Sequence, residues 1–140
     1  MTAPISTTSA LERFAIKRGL TLGNLIRADM HVALALAAPC LPSAAVLTEA
    51  QVNAALQDWL AGTGAMLAVD HVELRRALID AGLWQRDGFG RAYRRAETYA
   101  DPELLGQVEA LAALDAAQII AAARVRDATE RAQRRERHAG

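Results

Sequence analysis

The chain has 140 residues, with 16 basic and 16 acidic side chains, so its formal net charge at pH 7 is zero. This length is that of one domain, and the neutral balance argues against a protein that coats nucleic acid or an anionic membrane without specificity. Hydrophobic residues make up 52% of the chain but aromatic residues only 4%. Because alanine supplies much of the hydrophobic fraction, the composition predicts a mainly α-helical protein with narrow apolar faces.

Residues 1–45 are predicted to form an N-terminal helical segment. Residues 1–8 are expected to be a frayed start. The capping-box pattern SALE at Ser9–Glu12 then opens a first helix, which Gly19 ends. Thr21 begins a second helix, whose apolar residues recur at helical spacing.

The second helix ends in an apolar run that is too short to cross a membrane. Val32–Ala38 is far below the roughly 20 residues of a membrane span, and Pro39 directly after it favours a helix end over an export signal. Cys40 is the only cysteine, which excludes an intrachain disulfide and fits a reducing compartment. We therefore predict a cytoplasmic protein with no membrane partner.

Residues 46–100 carry the signals of two capped helices. Thr48 and Gln51 form a second capping-box pattern, which opens the first of them. Asp70 is the expected N-cap of the next helix, and Gly82 is its expected left-handed stop.

The stretch LWQRDGFGRAYRR, residues 83–95, indicates a β-hairpin around the turn DGFG. A four-residue loop would place Trp84 opposite Tyr93. A two-residue turn at Asp87–Gly88 would place the same tryptophan opposite Arg91. The sequence leaves both registers open.

Residues 101–140 are predicted to form a C-terminal helical tail. Asp101 followed by Pro102 is a favourable helix opening. Asp115 is placed to cap a second segment, so we expect a break in the helix there. Beyond Val125 the apolar face fades into an arginine-rich, charged sequence that is typical of a solvated helix.

Helix, loop, helix and hairpin, in this order, are the elements of a winged-helix domain. In such domains the last helix before the hairpin enters the major groove, and the hairpin lies along the DNA backbone. The stretch LRRALIDAGLWQRDGFGRAYRR also resembles the corresponding passage of bacterial regulators of the ArsR and MarR types. The predicted class is mainly α (α+β), with a winged-helix-like middle flanked by helices on both sides.

A more specific resemblance covers Thr48–Arg95. It is carried by Thr48-Glu49, Val52-Asn53, Leu56, Asp70, Leu74-Arg75-Arg76, Leu78-Ile79-Asp80, Gly82-Leu83, Arg86, Gly90 and Tyr93. In this spacing the chain resembles a small bacterial family, domain of unknown function 2087. Members stand alone or follow an ArsR-type helix-turn-helix, so the resemblance implies gene regulation by association. The chain departs from the family in a longer loop between the two helices, and in Arg94 where a wing tryptophan is common.

The arginines of the hairpin are the strongest candidates for contact with nucleic acid. The candidate nucleic-acid-binding residues are Arg75, Arg86, Arg91, Arg94 and Arg95. The four in the hairpin face a single acid, Asp87, which gives this stretch a net charge of +3 and suits contact with phosphates. The alternative is that two of them pair with nearby acids such as Asp80 or Glu97.

The helix before the hairpin looks less suited to reading a DNA groove. Arg76 lies at three- and four-residue spacing from Glu73 and Asp80, so we expect it to be paired within its own helix. Arg75 points to another side, is expected to be freer, and is the candidate for contact with bases. Val72 and Ile79 form a second apolar strip, which the front helices, the tail or a second copy of the chain would cover.

Enzyme chemistry finds little support in the sequence. His31, His71 and His138 are scattered, and no Cys/His spacing suits zinc. Cys40 has no evident base partner, and we predict no metal, no cofactor and no small-molecule ligand. The preferred function is a DNA-binding transcriptional regulator, with DNA and a homodimer as expected partners. The alternative is a protein-interaction or dimerisation module that regulates a partner without nucleic acid.

Overall fold

The computed structural model describes residues 3–89 and 91–139 of the chain. Its α-helices are α1 (Ala3–Ala15), α2 (Arg27–Ala37), α3 (Glu49–Ala61), α4 (His71–Asp80), α5 (Pro102–Ala112) and α6 (Ala116–Ala139). Its strands are β1 (Leu47–Thr48), β2 (Trp84–Arg86) and β3 (Ala92–Arg95). The predicted mainly α class with a small β component is therefore confirmed.

One hydrophobic core connects the front helices, the middle of the chain and the tail. Helix α1 packs against α5 and α6, α2 packs against α5, and α3 packs against α4. Phe14, Leu56, Tyr93 and Leu104 are fully buried and come from all of these regions. Trp84 joins them, and its indole Nε1–H donates to the carbonyl of Ala38 at 3.0 Å, which ties the hairpin to the end of the α2 region.

The three strands form an antiparallel sheet in the order β1-β3-β2. The strand β1 is not among the sequence predictions, although it directly precedes the predicted cap of α3. It pairs Leu47 with Tyr93. The hairpin itself is confirmed, and β3 is its inner strand.

Both registers expected for the hairpin are wrong. Trp84 pairs with Arg95, and Arg86 pairs with Tyr93, so the loop spans residues 87–92 and is two residues longer than the four-residue turn DGFG. The cause is Asp87, whose carboxylate accepts the backbone N–H groups of Phe89 and Arg91 at 3.1 and 2.8 Å. These local hydrogen bonds keep Arg91 in the loop instead of in the strand.

The start of α1 also differs from the expectation. The helix begins at Ala3, so residues 3–8 are not frayed, and the SALE pattern lies inside the helix instead of opening it. Thr7 is fully buried and its hydroxyl donates to Gln107 of α5 at 2.7 Å. This contact spans 100 residues of sequence, which explains why a local capping pattern did not find the helix start.

The second helix begins later than Thr21. A short 3-10 turn at Leu22–Asn24 comes first, and α2 starts only at Arg27. Leu20 is held in an extended conformation by backbone hydrogen bonds to Met66 and Ala68, and the residues of the 3-10 turn include glycine and asparagine, which are weak helix formers.

The predicted caps of the later helices are confirmed. Thr48 and Gln51 form the full capping box of α3, Asp70 accepts the N–H of Glu73 at 2.8 Å, and Asp101 caps α5. The expected break at Asp115 is also present, since α5 and α6 meet there at a bend of 75°. Within the described residues, no single helix is both long and apolar enough to span a membrane, and α5 and α6 meet that condition only when combined across their bend.

Candidate nucleic-acid interface

The β2–β3 hairpin places three exposed arginines beyond the edge of the core. Arg86 is on the same face of the ribbon as Tyr93, Arg94 is on the opposite face beside Gln85, and Arg91 is in the loop. All three are exposed, and within residues 3–89 and 91–139 none of them forms an ion pair with a carboxylate. The predicted charge of the hairpin therefore remains available to an outside anion at these positions.

An aromatic ring stands beside the loop arginine. Phe89 is 82% exposed, and the guanidinium carbon of Arg91 lies 5.6 Å from the centre of its ring. Stacking on an aromatic face restricts an arginine without neutralising it. Gly90, which belongs to the predicted turn and to the family resemblance, lies outside the described residues.

Arg95 differs from the other three arginines of the hairpin. It is half-buried on the inner face of the ribbon, opposite Trp84, and its Nη2 donates to the hydroxyl of Tyr99 at 3.4 Å. Its Nε is buried and has no hydrogen-bond partner among the described residues. The alternation of side chains along a strand explains this placement, because the register puts residue 95 on the covered face.

Arg75 is largely buried, with 11% of its side chain exposed. Its Nη1 donates to Oδ1 of Asn53, and its Nη2 lies 3.6 Å from Oε1 of Glu49. Its guanidinium also stacks over the ring of Tyr93, 5.8 Å from the centre. The expectation that Arg75 is the freer arginine of α4 is therefore wrong, because α3 and β3 cover it.

These contacts form a polar cluster that sequence reasoning missed. The hydroxyl of Tyr93 donates to the same Glu49 oxygen at 3.1 Å, so Glu49 joins α3, α4 and β3. All four residues of this cluster, Glu49, Asn53, Arg75 and Tyr93, are part of the spacing that carries the family resemblance. The occurrence of these residues in the family spacing was a sign that they matter together, although it did not indicate that they are in contact.

Arg76 is exposed, but it is not paired as expected. Within the described ranges it forms no ion pair with Glu73 or Asp80. The three side chains border one hollow, together with Val72 of the same helix and Met30 of α2. Met30 of α2 and Val72 therefore lie on the same hollow, which is where the front helices come nearest to the Val72 strip.

The β2–β3 hairpin borders a larger hollow of about 930 Å³. Arg86 and Arg94 line it together with the apolar side chains of Val46, Ile79 and Tyr99. Val46 is 65% exposed. The hollow therefore has arginines on one side and apolar side chains on the other, next to the hairpin.

The histidines and the cysteine do not gather into a reactive centre in the described part of the chain. No group of three or more metal-binding side chains occurs there. Burial, and secondarily the negative charge of Asp58, raises the pKa of the Cys40 thiol to about 11. At neutral pH this thiol is therefore protonated and is a poor nucleophile.

In a comparison with known families, residues 27–95 match a family described as an uncharacterized protein conserved in bacteria (DUF2087). The matched segment runs from α2 to β3, so it contains the sheet, α3, α4 and the hairpin. It confirms the family resemblance seen at Thr48–Arg95 and extends it back to Arg27. No curated protein and no solved structure matches the chain significantly.

Proposed function

We propose that this chain, whose residues 27–95 match the DUF2087 family, binds duplex DNA through phosphate contacts of the β2–β3 hairpin and acts in transcriptional regulation. The observation that carries the proposal is the set of three exposed hairpin arginines, Arg86, Arg91 and Arg94, which have no carboxylate partner in the described chain. Positively charged side chains with this freedom bind phosphates by releasing condensed counterions.

The order of the elements supports a winged-helix type of domain. Between α2 and β3 the order is helix, strand, helix, helix and hairpin, and the sheet order β1-β3-β2 puts the hairpin beside the end of α4. In DNA-binding domains of the helix-turn-helix class, the element next to the second helix reaches the DNA backbone. The hairpin is therefore in a suitable place to contact phosphates.

The distribution of charge on the ribbon also favours a DNA groove. Arg86 and Arg94 leave opposite faces of a two-stranded ribbon, and Arg91 lies at its tip with the exposed ring of Phe89. A ribbon with cations on both faces can meet both phosphate rows that border a groove.

Helix α4 contributes little to sequence reading in this proposal. The net charge of its exposed charged residues, Glu73, Arg76 and Asp80, is −1, which opposes close approach to phosphates. Arg75 is held by α3 and β3, so we assign it a role in positioning α4 instead of a contact with bases. Binding is expected to be led by phosphates and to tolerate many sequences.

The test is the salt dependence of binding to a 30-base-pair duplex, measured by fluorescence anisotropy. Three phosphate contacts contribute about −2.7 to the slope of log affinity against log salt concentration. Replacing Arg86, Arg91 and Arg94 together by glutamine should reduce the slope by about that amount. A slope unchanged by the triple substitution would refute the hairpin as the contact.

Arg76→Gln is the control for this experiment. It removes one exposed guanidinium from α4, close to the hairpin but outside the proposed contact. We expect the slope of this variant to equal that of the unmodified protein. A loss as large as one full phosphate contact would instead place α4 at the DNA.

A second candidate function is a protein-interaction or dimerisation module. The hollow beside the sheet favours it, because Val46, Ile79 and Tyr99 offer apolar side chains next to arginines. A homodimer that uses this surface predicts that Val46→Glu lowers the sedimentation coefficient at micromolar concentration. The DNA-binding proposal requires the cytoplasmic location that we predict from the sequence, whereas the interaction module does not.

A further inference from the structure

The C-terminal half of α6 extends beyond the packed part of the molecule. Ile120 and Ala123 are buried against the core, and Arg126 still reaches Glu12 of α1 at 3.0 Å. From residue 128 to residue 139 every side chain is exposed, apart from a half-buried Ala132. About three turns of helix therefore face solvent on all sides.

Four basic residues of this exposed part share one face of the helix. Arg131, Arg134, Arg135 and His138 follow the spacing i, i+3, i+4, i+7, which places them side by side. Their side chains surround one shallow depression. We call these four residues the basic face of α6.

Of the acidic residues in the same turns, Glu136 lies on the far side of the helix, whereas Glu130 lies at one edge of the basic face. At about 100° per residue, Glu136 is turned by roughly 100° or more from every member of the basic face, whereas Glu130 is turned by only about 40° from Arg134, four residues on. At the N-terminal end of the face, the carboxylate of Asp127 forms an ion pair with Nε of Arg131 at 3.0 Å. Within the described chain, Arg134, Arg135 and His138 form no ion pair. The face therefore carries more basic than acidic side chains, although the whole chain is neutral.

We propose that the basic face of α6 binds the phosphate backbone of duplex DNA and is a second contact surface in addition to the hairpin. The proposal rests on the proposed function for its choice of partner. From Arg131 to His138 the helix rises about 10 Å, which is the axial distance that about three phosphates of one strand occupy. Arginine forks match phosphate oxygens in geometry as well as in charge.

The test compares two double variants of the full chain on the same 30-base-pair duplex. Arg134→Gln with Arg135→Gln removes two charges from the basic face. Arg126→Gln with Arg137→Gln removes two charges from other sides of the same helix, so both variants change the net charge equally. Circular dichroism verifies that both retain the helix content of the unmodified protein.

The expected result is a loss of about 1.8 in the slope of log affinity against log salt concentration for the first variant. The second variant should keep the slope of the unmodified protein. Equal slopes for the two variants would overturn the proposal, because only total charge would then matter.

The outcomes also separate this proposal from the hairpin contact. If the glutamine substitutions in the hairpin lower the slope and those at Arg134 and Arg135 do not, the basic face is refuted and the hairpin stands. The reverse result refutes the hairpin and supports the basic face. A polyglutamate chain that binds as tightly as the duplex, and loses binding with the same double substitution, would overturn DNA in favour of an acidic peptide.

Discussion

Arg124 of α6 provides a direct test of how the tail is attached to the rest of the fold. Its Nε donates to the carbonyl of Ala15 at 3.2 Å, and its Nη1 and Nη2 donate to the carbonyls of Gly62 and Thr63 at 3.2 and 3.3 Å. Ala15 is the last residue of α1, and Gly62 and Thr63 follow the end of α3. One guanidinium thus donates to carbonyl groups at the C-terminal ends of α1 and α3, where helices leave carbonyls without partners, although that of Gly62 also accepts the N–H of Ala65 at 3.1 Å.

The cost of removing this guanidinium can be worked out from these three bonds. A hydrogen bond from a charged donor contributes about 1.5–3 kcal/mol, and we take about 1 kcal/mol for each, because the distances are long and the site is partly open to water. Burial, and then the positive charge of Arg18, lower the pKa of Arg124, but an arginine remains charged at neutral pH. Arg124→Met, which keeps most of the aliphatic stem, should therefore lower the free energy of unfolding by about 3 kcal/mol.

The measurement is urea unfolding followed by circular dichroism, together with thermal melting. For a chain of this size, 3 kcal/mol corresponds to a fall in Tm of about 9 °C. Arg131→Met is the matched control, since its guanidinium is 58% exposed and pairs only with Asp127 of its own helix. We expect this control to change stability by less than about 0.5 kcal/mol. Equal effects of the two substitutions would refute the bridging role of Arg124.

Three further predictions concern the core. A Cβ at Gly64 would lie 2.3 Å from a ring carbon of Trp59, so Gly64→Ala should destabilise the protein by about 1–3 kcal/mol. A Cβ at Gly106 would meet no atom within 4 Å, so Gly106→Ala should stabilise α5 by up to about 1 kcal/mol. Equal urea midpoints for the two variants would contradict this reasoning. Trp84→Phe removes the donor to a buried carbonyl and should cost about 1–3 kcal/mol, and a midpoint within error of the unmodified protein would show that the bond contributes nothing. Burial raises the pKa of Cys40 to about 11. Ellman's reagent at pH 8 should therefore react slowly with the native protein and rapidly with the protein unfolded in urea. Equal rates for the native and the unfolded protein would contradict the burial of this thiol.

The sequence by itself determined the features that depend on neighbours within about four residues. The caps at Thr48, Asp70 and Asp101 bond to backbone groups two or three positions away, and the left-handed stop at Gly82 has the expected positive φ of 82°. The break at Asp115 was also readable, because its carboxylate accepts the N–H of Gln118. Such signals are local, so no knowledge of the packing was needed to find them.

Tertiary structure decided which arginines are available. Nothing within a few residues of Arg75 indicates that Asn53 and Glu49, more than 20 positions earlier, occupy its guanidinium. The length of the hairpin loop likewise depends on the carboxylate of Asp87, and Thr7 of α1 is held by Gln107, 100 residues further along the chain. Spacing along a helix or strand fixes which side chains share a face, but burial of that face depends on which distant element packs against it.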